Sequence, residues 1–450
     1  MTESESDLNT TSGIRQVSAL SFVSAFIRSS GQLYPLLTRL QNKWGKTFSV
    51  RIGARKLFYL NCPKASRQVL ISRNQNYCKT QHTLSLNKIL GNGLVTTEGQ
   101  QWQSRRQIIG PYFRGDKLER MTRLMGLEFE DWKQETWQPL LGKEVNLVAL
   151  LHRLNLCLVG RFLLGIRDQD SYGLMSKGIS SFIDHQSRGL IIPSWFYMFD
   201  LLRIRRFKQS VDNMLFQLIK SRMQDGVSAD DYISFLLREH QRNPDIISIQ
   251  AVRDETMTMM AAGHETAAST LFWAFIHLAH DSDLQERLRH ELNQYSEVQL
   301  NDPGFTLTIS LVRHIFLEAM RLYPPSWLQA REATGPDEFS GYSITKGDTV
   351  ILPVWFLHRD PDLWQDANKF NPDRFIGQEK NLRLGGSYLP FSLGPRSCIG
   401  NIAGMRQACM ILAGLLKSCR IEVPDPHPPE PGHGVILKTP ASCRVIFKAV

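Results

Sequence analysis

Most of the chain carries apolar residues at the three- and four-residue spacing of an amphipathic helix. Because residues at this spacing share one face of a helix, the pattern predicts a mainly helical protein. The segments with the clearest period are Lys117 to Trp137, Phe207 to Gln224, Ile249 to His280, Ser282 to Tyr295 and Ile309 to Leu322. The third is the longest and has small residues in its middle, so we expect it to be a long central helix.

Strand-like segments are short and fall in two parts of the chain. They are Phe48 to Ile52, Leu57 to Asn61, Tyr342 to Ile344 and Thr349 to Pro353. The first two predict a hairpin, and the last third of the chain is rich in proline and glycine, which indicates loops. No repeat or low-complexity linker divides the sequence. We therefore predict a flexible N-terminal extension over residues 1–30, followed by one domain over residues 31–450 that is mainly α with a smaller β-rich lobe.

Composition indicates a soluble globular protein. The 450 residues are 42% hydrophobic and 21% charged, which suits a substantial core. Seven cysteines form no CxxC pair, and an odd count without a secretion signal argues for a reducing compartment. These observations argue against a disulfide framework and against a structural zinc site.

The N-terminus predicts no transmembrane anchor. Its first 16 residues are polar and acidic, unlike a signal peptide, and Val17 to Ile27 is too short and serine-rich to cross a bilayer. No later run comes near 18 apolar residues. We expect a cytoplasmic protein, and peripheral membrane contact through Leu20, Phe22 and Phe26 stays open.

The net charge of +10 allows two interpretations. Lys and Arg are scattered, and the sequence contains no recognisable nucleic-acid module, so we predict no nucleic-acid partner. The charge either serves docking to an acidic protein or merely aids solubility. Both interpretations stay open.

Residues 391–400, FSLGPRSCIG, place Cys398 between Gly394 and Gly400. A lone thiol in this setting suggests a metal ligand, because the glycines let the backbone pass close to a flat cofactor. Backbone N–H groups can steady a thiolate, and Arg396 offers charge to an anionic group. Phe391 would exclude water. The alternative is a buried structural cysteine beside a turn.

This segment resembles the haem-ligand loop of the cytochrome P450 family, whose pattern is Phe-x-x-Gly-x-Arg-x-Cys-x-Gly. Phe391, Gly394, Arg396, Cys398 and Gly400 fill every specified place. The resemblance implies the family's fold, with haem b between the long central helix and the cysteine loop and with Cys398 as the iron ligand. Thiolate ligation favours cleavage of the O–O bond, so O2 is the implied co-substrate. The lack of an N-terminal anchor points to a soluble bacterial type.

The long helix contains Ala262, Gly263, His264, Glu265 and Thr266. Ala262 and Gly263 lie four and three residues before Thr266, so they share its face and leave a groove for a small ligand. The Thr266 hydroxyl can donate back to the Ala262 carbonyl or out to bound oxygen, and Glu265 can relay protons. The alternative is a close-packing patch. The motif resembles the family's oxygen-activation signature, which implies that Thr266 and Glu265 are catalytic, whereas His264 receives no ligand role.

Glu318 and Arg321 lie three apart on one helix face in apolar surroundings. A charge pair there must be mutually satisfied, usually with a third partner. The resemblance supplies Arg374, from the segment FNPDRF. We predict that the three residues support the haem loop and are structural.

Other cofactor contacts follow from the resemblance. Trp102 and Arg106 are four apart and match the family's Trp-x-x-x-Arg contact with a haem propionate. Arg396 and Arg331 are further propionate candidates, and the alternative for Arg331 is an exposed strand arginine.

The substrate pocket is assigned from family position alone. The candidates are Leu84, Leu86, Ile89, Val95, Met259, Ser326, Trp327, Leu328 and Ile436. Because nearly all are apolar, the substrate should be an apolar molecule held by burial. Aromatic and methionine side chains at Phe182, Phe196, Tyr197, Met198 and Phe199 are candidates for a mobile lid or for core packing.

The resemblance implies a monooxygenase that inserts one oxygen atom into a lipid, terpenoid or polyketide-like substrate by hydroxylation or epoxidation. The sequence contains no flavin or nicotinamide module, so a ferredoxin or flavodoxin with its reductase would carry electrons from NAD(P)H, and the basic surface would dock it. We expect a monomer. A peroxygenase or hydroperoxide isomerase and a non-catalytic haem sensor are the alternatives, and Glu265 with Thr266 argues against the first.

Overall fold

The structure, a computed structural model, describes residues 14–30, 32–165, 173, 198–224, 229–434 and 436–450, with the side chains of 198–204 excepted. The lid candidates Phe182, Phe196, Tyr197, Met198 and Phe199 lie outside the described residues or side chains. The chain forms two compact units. The first consists of Met1–Thr80, Leu328–Leu363 and Leu382–Ser397, and the second of Gln81–Trp327, Trp364–Asn381 and Cys398–Val450.

Helices make up most of the described chain. In order they are α1 (Ala19–Arg28), α2 (Leu33–Trp44), α3 (Pro63–Arg67), α4 (Gln81–Leu84), α5 (Asn87–Leu90), α6 (Gly99–Ile109), α7 (Gly115–Trp132), α8 (Leu147–Leu164), α9 (Met198–Gln224), α10 (Tyr232–Arg242), α11 (Ile249–Ala279), α12 (Ser282–Leu292), α13 (Glu297–Leu300), α14 (Pro303–Thr306), α15 (Ser310–Leu322), α16 (Val354–Leu357), α17 (Glu379–Gly385) and α18 (Asn401–Leu416). The mainly helical class predicted from the sequence is confirmed.

Strands are short throughout. They are β1 (Arg15–Val17), β2 (Thr47–Ile52), β3 (Arg55–Leu60), β4 (Tyr77–Cys78), β5 (Glu144–Asn146), β6 (Gln329–Ala333), β7 (Asp337–Phe339), β8 (Tyr342–Ile344), β9 (Thr349–Leu352), β10 (Cys419–Glu422), β11 (Gly432–His433), β12 (Leu437–Lys438) and β13 (Arg444–Ala449). The four strand segments predicted from the sequence correspond to β2, β3, β8 and β9.

The first unit is built on a six-stranded sheet with the order β1-β2-β3-β9-β6-β4. The predicted hairpin is present, with Thr47 opposite Leu60 and Ile52 opposite Arg55. Strand β9 joins β3 in parallel through Phe58 and Val350, both fully buried. Because alternate side chains of these strands point to the same face, Phe58, Leu60, Val350 and Leu352 contribute to one apolar cluster.

The second unit is built around α11, which packs against α8, α15 and α18. Helix α11 begins at the N-cap Ser248, whose hydroxyl accepts the Ala251 N–H at 3.1 Å. Trp273 in its second half is fully buried and stacks on Tyr323 with ring centroids 4.0 Å apart. The predicted long helix is therefore a core helix of this unit.

Residues 14–30, which the sequence assigned to an extension, contain β1 and α1 in the part that is described. Strand β1 pairs in parallel with β2. The single domain predicted over residues 31–450 and the flexibility of the extension stay predictions.

Helix α8 corrects one expectation. Among the described helices it is the one long and apolar enough to cross a membrane, with 18 residues and a mean hydropathy of 1.7. The expectation that no such run follows the N-terminus was therefore wrong. However, 72% of this window is buried inside the protein, as in an ordinary core helix.

Candidate haem site

Cys398 lies directly before α18 in the second unit. Its side chain is exposed, yet the surrounding protein desolvates it and raises the pKa of its thiol. The two observations together indicate that the sulfur faces a recess in the protein. The backbone N–H of Gly400 donates to the sulfur, and the Arg106 guanidinium attracts a thiolate, so both oppose the effect of burial on the pKa.

Helix α6 carries Trp102 and Arg106, both half-buried. Desolvation lowers the pKa of Arg106, a nearby Cys398 thiolate raises it, and the exposed Arg114 lowers it again. Arg106 is therefore a partly desolvated cation close to the sulfur. Such a cation suits an anionic group such as a carboxylate.

Residues 391–397 of the FSLGPRSCIG segment and Arg331 belong to the first unit. Phe391 and Arg396 are half-buried, and the Ser397 N–H donates to the Gly394 carbonyl at 3.0 Å, which closes a turn. Arg331 lies in β6 and is half-buried, so it is not the exposed strand arginine of the alternative interpretation.

Gly394 is required for a reason that the sequence did not show. It has φ +70°, and a Cβ at this position would lie 1.8 Å from the Leu70 carbonyl oxygen. The close approach is therefore to the protein's own backbone, whereas the sequence suggested approach to a flat cofactor. Gly400 differs, because its φ is −91° and a Cβ would meet only Phe113, at 4.0 Å.

We expect Gly394→Ala to destabilise the first unit by more than the cost of a left-handed alanine, which is about 1–2 kcal/mol. Gly341→Ala is the matched control, because Gly341 also has positive φ, at +80°, but has open space around it. Urea unfolding of the two variants measures the difference. Equal losses of stability would show that the Leu70 backbone yields without cost.

Helix α11 is uncovered where the oxygen motif lies. Residues 251–260 and 268–276 are all buried, whereas Ala262 is exposed and Thr266 is half-buried. The Thr266 hydroxyl donates to the Ala262 carbonyl at 2.7 Å, which is the first of the two partners that the sequence allowed. Glu265 is half-buried. The helix thus presents a groove of small residues with a hydroxyl at its end.

The opposite face of this segment is packed against α8. His264 is fully buried, with its ring 5.4 Å from that of His152, and a Cβ on Gly263 would lie 3.4 Å from Val159. Burial and the neighbouring His152 lower the pKa of His264 to about 3. His264 is therefore neutral at physiological pH and faces away from the groove.

The structure brings Glu318, Arg321 and Arg374 together. Glu318 and Arg321 are fully buried, and Arg321 donates to both carboxylate oxygens at 2.7 and 2.8 Å. Arg374 adds a bond to Glu318 at 3.0 Å. Two further contacts were not predicted, because Asn371 N–H donates to Glu318 at 2.9 Å and Trp364 packs its ring against Arg321. Every strong donor and acceptor here faces protein, so the group is structural.

The pocket candidates divide by exposure. Leu84, Leu86, Val95, Leu328 and Ile436 are half-buried, and Ser326 is exposed. Met259 is 7% exposed. By contrast, Ile89 and Trp327 are each 1% exposed, and the Trp327 indole N–H donates to the Gly434 carbonyl at 2.8 Å. In this structure those two side chains pack inside the protein and present no wall to a substrate.

Leu86 and Ile89 pack with Ala261, beside the groove of α11. The Leu437 N–H donates to the Pro325 carbonyl at 2.9 Å, which places the segments of Ile436 and Ser326 next to each other. Contact of these residues with a substrate stays a prediction.

These residues fit a haem. Its iron would take the Cys398 sulfur, which the Gly400 N–H already contacts, and a propionate would take Arg106. The exposed Ala262, between the buried stretches 251–260 and 268–276 of α11, leaves an apolar surface uncovered. No group of three or more His, Cys, Asp or Glu in the described ranges is arranged to hold a different metal ion.

The proteins that this chain is similar to agree with the residues that would hold a haem. The chain is 28% identical to cytochrome P450 709B1 of Arabidopsis thaliana, with 91% of this chain and 83% of that protein covered. It is 26% identical to a cytokinin hydroxylase of the same plant, over 93% and 83%. Pentalenene oxygenase of Streptomyces avermitilis is also 26% identical, over 84% and 85%. Because plant and bacterial relatives both match, the comparison does not single out a bacterial type.

The model of the cytochrome P450 family matches residues 18–447, nearly the whole chain. The match includes the cysteine recess, the uncovered groove of α11 and the buried Glu318 group. This chain therefore belongs to the cytochrome P450 family and is a monooxygenase.

Proposed function

We propose that the protein inserts one atom of O2 into an apolar organic molecule, of the lipid, terpenoid or polyketide-like class, by hydroxylation or epoxidation. The observation that carries the proposal is the groove at Ala262 and Thr266, between the buried stretches 251–260 and 268–276 of α11. Relatives named as hydroxylase and oxygenase support the reaction class. The apolar pocket candidates support the substrate class.

Haem bound at Cys398 would supply the activation of O2. The protein's own part is to exclude water and to deliver protons beside the groove. The Thr266 hydroxyl hydrogen now points to the Ala262 carbonyl, and rotation about the side chain redirects it into the groove. Glu265, the next residue, is half-buried and can hold a proton at its carboxyl group for transfer to that hydroxyl.

Replacing Thr266 by alanine should divert reducing equivalents from product to hydrogen peroxide. Removal of a positioned proton donor costs on the order of 10²-fold in general acid catalysis, so product formed per NAD(P)H should fall steeply. Thr270→Ala is the matched control, because its hydroxyl donates to the Thr266 carbonyl at 3.1 Å and is buried away from the groove. Unchanged product yield in Thr266→Ala would remove the proton-relay role.

A separate ferredoxin or flavodoxin with its reductase is the proposed source of electrons. The family requires a redox partner. Exposed Arg114, whose charge reaches Arg106 beside Cys398, is basic surface of the kind that an acidic donor would contact. Reconstitution with NADPH and each donor, compared with a diflavin reductase, tests the assignment. Turnover with the diflavin reductase alone would contradict it.

A spectral binding screen tests the proposed function as a whole. Purified protein would be reduced under carbon monoxide to establish thiolate ligation, and fatty acids, terpenes and polyketide-like compounds would be titrated for spin-state changes. Binders would then be incubated with donor, reductase and NADPH. Product with hydrogen peroxide but none with NADPH would identify a peroxygenase, and tight binding without product would identify a sensor.

We place this monooxygenase in the cytoplasm, as a monomer of the soluble type. One exposed feature bears on its location, because α1 presents Leu20, Val23 and Ile27 at 84%, 51% and 70% exposure along one stripe. A stripe of this kind supports contact with a membrane surface and does not support a segment that spans the membrane. Fractionation after a high-salt wash tests the location, and retention in the membrane pellet would contradict it. Gel filtration tests the monomer.

A further inference from the structure

The segment Gly91–Thr97, which we call the anchored turn, lies very close to α11. A Cβ on Gly91 would be 2.0 Å from the Asp254 carboxylate, and a Cβ on Gly93 would be 2.0 Å from the Thr258 hydroxyl. Gly91 also has φ +76°. Two glycines with a single residue between them therefore allow an approach that no side chain would permit.

Two adjacent carboxylates of α11 hold the anchored turn by its backbone. The Asn92 N–H donates to Asp254 at 2.8 Å, and the Leu94 N–H donates to Glu255 at 3.1 Å. Asp254 is 3% exposed and Glu255 is fully buried. A backbone N–H that donates to a buried carboxyl oxygen is costly to leave unpaired, so both contacts can fix a loop.

Two arginines, one on α6 and one on α11 itself, hold the carboxylates in turn. Arg105 of α6 lies 3.4 Å from Glu255, and Arg253 lies 3.2 Å from Asp254. Arg253 also donates to Asp212 of α9 at 2.6 Å. The network therefore connects the anchored turn, α6, α9 and α11 through groups that are buried except for the half-buried Asp212.

The pKa of Glu255 is set by opposing effects of burial and of its neighbours. Burial raises its pKa to about 7, while the Leu94 N–H and Arg105 lower it and the Asp254 charge raises it again. The buried Tyr232 of α10 also lies within reach of the Glu255 charge. Glu255 therefore titrates near neutral pH, and without the Leu94 N–H and Arg105 its pKa would be higher still.

The anchored turn borders the predicted substrate pocket. Val95 belongs to the turn, and Leu86, a few residues before it, packs with Ile89 and Ala261 beside the groove of α11. Within the turn, the Thr96 hydroxyl donates to the Gly91 carbonyl at 2.6 Å and Thr97 donates to Gly93 at 2.9 Å. The turn is thus closed by its own hydrogen bonds.

We propose that Asp254 and Glu255 are positioning residues for the substrate pocket: by holding the anchored turn against α11, they set the place of Val95 and Leu86 and control entry to the groove. The role in substrate entry rests on the proposed function. The anchoring of the turn does not rest on the proposed function, because it consists only of contacts between residues that the structure describes.

Three substitutions change the anchor in different ways. Glu255→Ala removes the acceptor for Leu94, whereas Glu255→Gln keeps an oxygen acceptor in nearly the same place and loses the charge. Gly93→Ala leaves every charge intact and pushes the turn away from Thr258. In the holoenzyme, amide hydrogen exchange in peptides covering residues 86–98 should rise at least about tenfold in Glu255→Ala and Gly93→Ala, and clearly less in Glu255→Gln.

Asp231→Ala is the matched control. Asp231 is another buried carboxylate that accepts a backbone N–H, from Ser234 at 2.8 Å, and pairs with an arginine, Arg222 at 2.9 Å, but it holds the start of α10. Its loss should destabilise the protein without selective exchange in residues 86–98. Faster exchange of that segment in Asp231→Ala, or equal exchange in all variants, would overturn the anchoring.

Entry to the groove is measured with 4-phenylimidazole, which binds haem iron and requires no knowledge of the natural substrate. We expect its association rate to change several-fold in Glu255→Ala and Gly93→Ala, with the reduced carbon monoxide band retained, and to stay within twofold in Asp231→Ala. Unchanged association in the first two variants would overturn the role in entry. If wild-type protein shows no thiolate–carbon monoxide band, the proposed function fails, while the exchange experiment still decides the anchoring.

Discussion

Replacing Glu318 by alanine is expected to destabilise the protein by about 3–5 kcal/mol, a large fraction of the usual stability of a folded protein. The substitution leaves the fully buried Arg321 guanidinium without its carboxylate and removes the acceptor for Arg374 and for the Asn371 N–H. Two backbone carbonyls, of Ala367 and Lys369, still accept from Arg321 but bring no negative charge. The uncompensated charge therefore accounts for most of the loss.

Guanidinium chloride unfolding measures this loss, and Arg287→Ala provides the control. Arg287 pairs with Asp373 at 2.8 Å, but both side chains are about half-exposed, so the pair should contribute about 0–1 kcal/mol. A loss below about 1 kcal/mol for Glu318→Ala would mean that water reaches Arg321 in its place.

Cys398→Ala, unlike Glu318→Ala, should retain the fold and lose product formation. Its side chain is exposed to the recess, so truncation removes little packing and should change the free energy of unfolding by only about 0.5 kcal/mol. Without the sulfur, haem would lack its axial thiolate, and the reduced carbon monoxide spectrum would lose the band of thiolate ligation.

Cys409→Ala separates the two effects. Cys409 lies in α18 and is fully buried, so its substitution should cost about 1 kcal/mol of stability while the carbon monoxide band and turnover persist. Turnover by Cys398→Ala at the wild-type rate would show that another residue ligates the iron.

The sequence predicted those parts of the site whose residue types carry chemistry. Cys398 and the pair Glu318 and Arg321 could be recognised because a lone thiol among glycines and a charge pair among apolar residues are unusual combinations. Helix α11 could be recognised from its length. In each case the chemical requirement is local, so a few adjacent residues of the sequence indicate it.

Other features were hidden because their cause lies far away in the chain. Helices α8 and α18 are buried on nearly every side, so their sequences show no polar face and no clear period. Gly394 was interpreted through the cofactor, although its close contact is with Leu70, more than three hundred residues earlier. The anchored turn was missed because its two glycines do not by themselves indicate that the turn approaches the carboxylates of α11.

The parallel pairing of β3 with β9 has a consequence for the newly made chain. Roughly 290 residues separate Phe58 from its neighbour Val350. At a synthesis rate of about 5–20 residues per second, β9 is made roughly 15–60 s after β3. The edge of β3 therefore stays unpaired far longer than a hairpin needs to form. During that interval, β2 and β3 present an apolar edge on the ribosome. Chaperone occupancy of nascent chains should therefore be highest before β9 emerges.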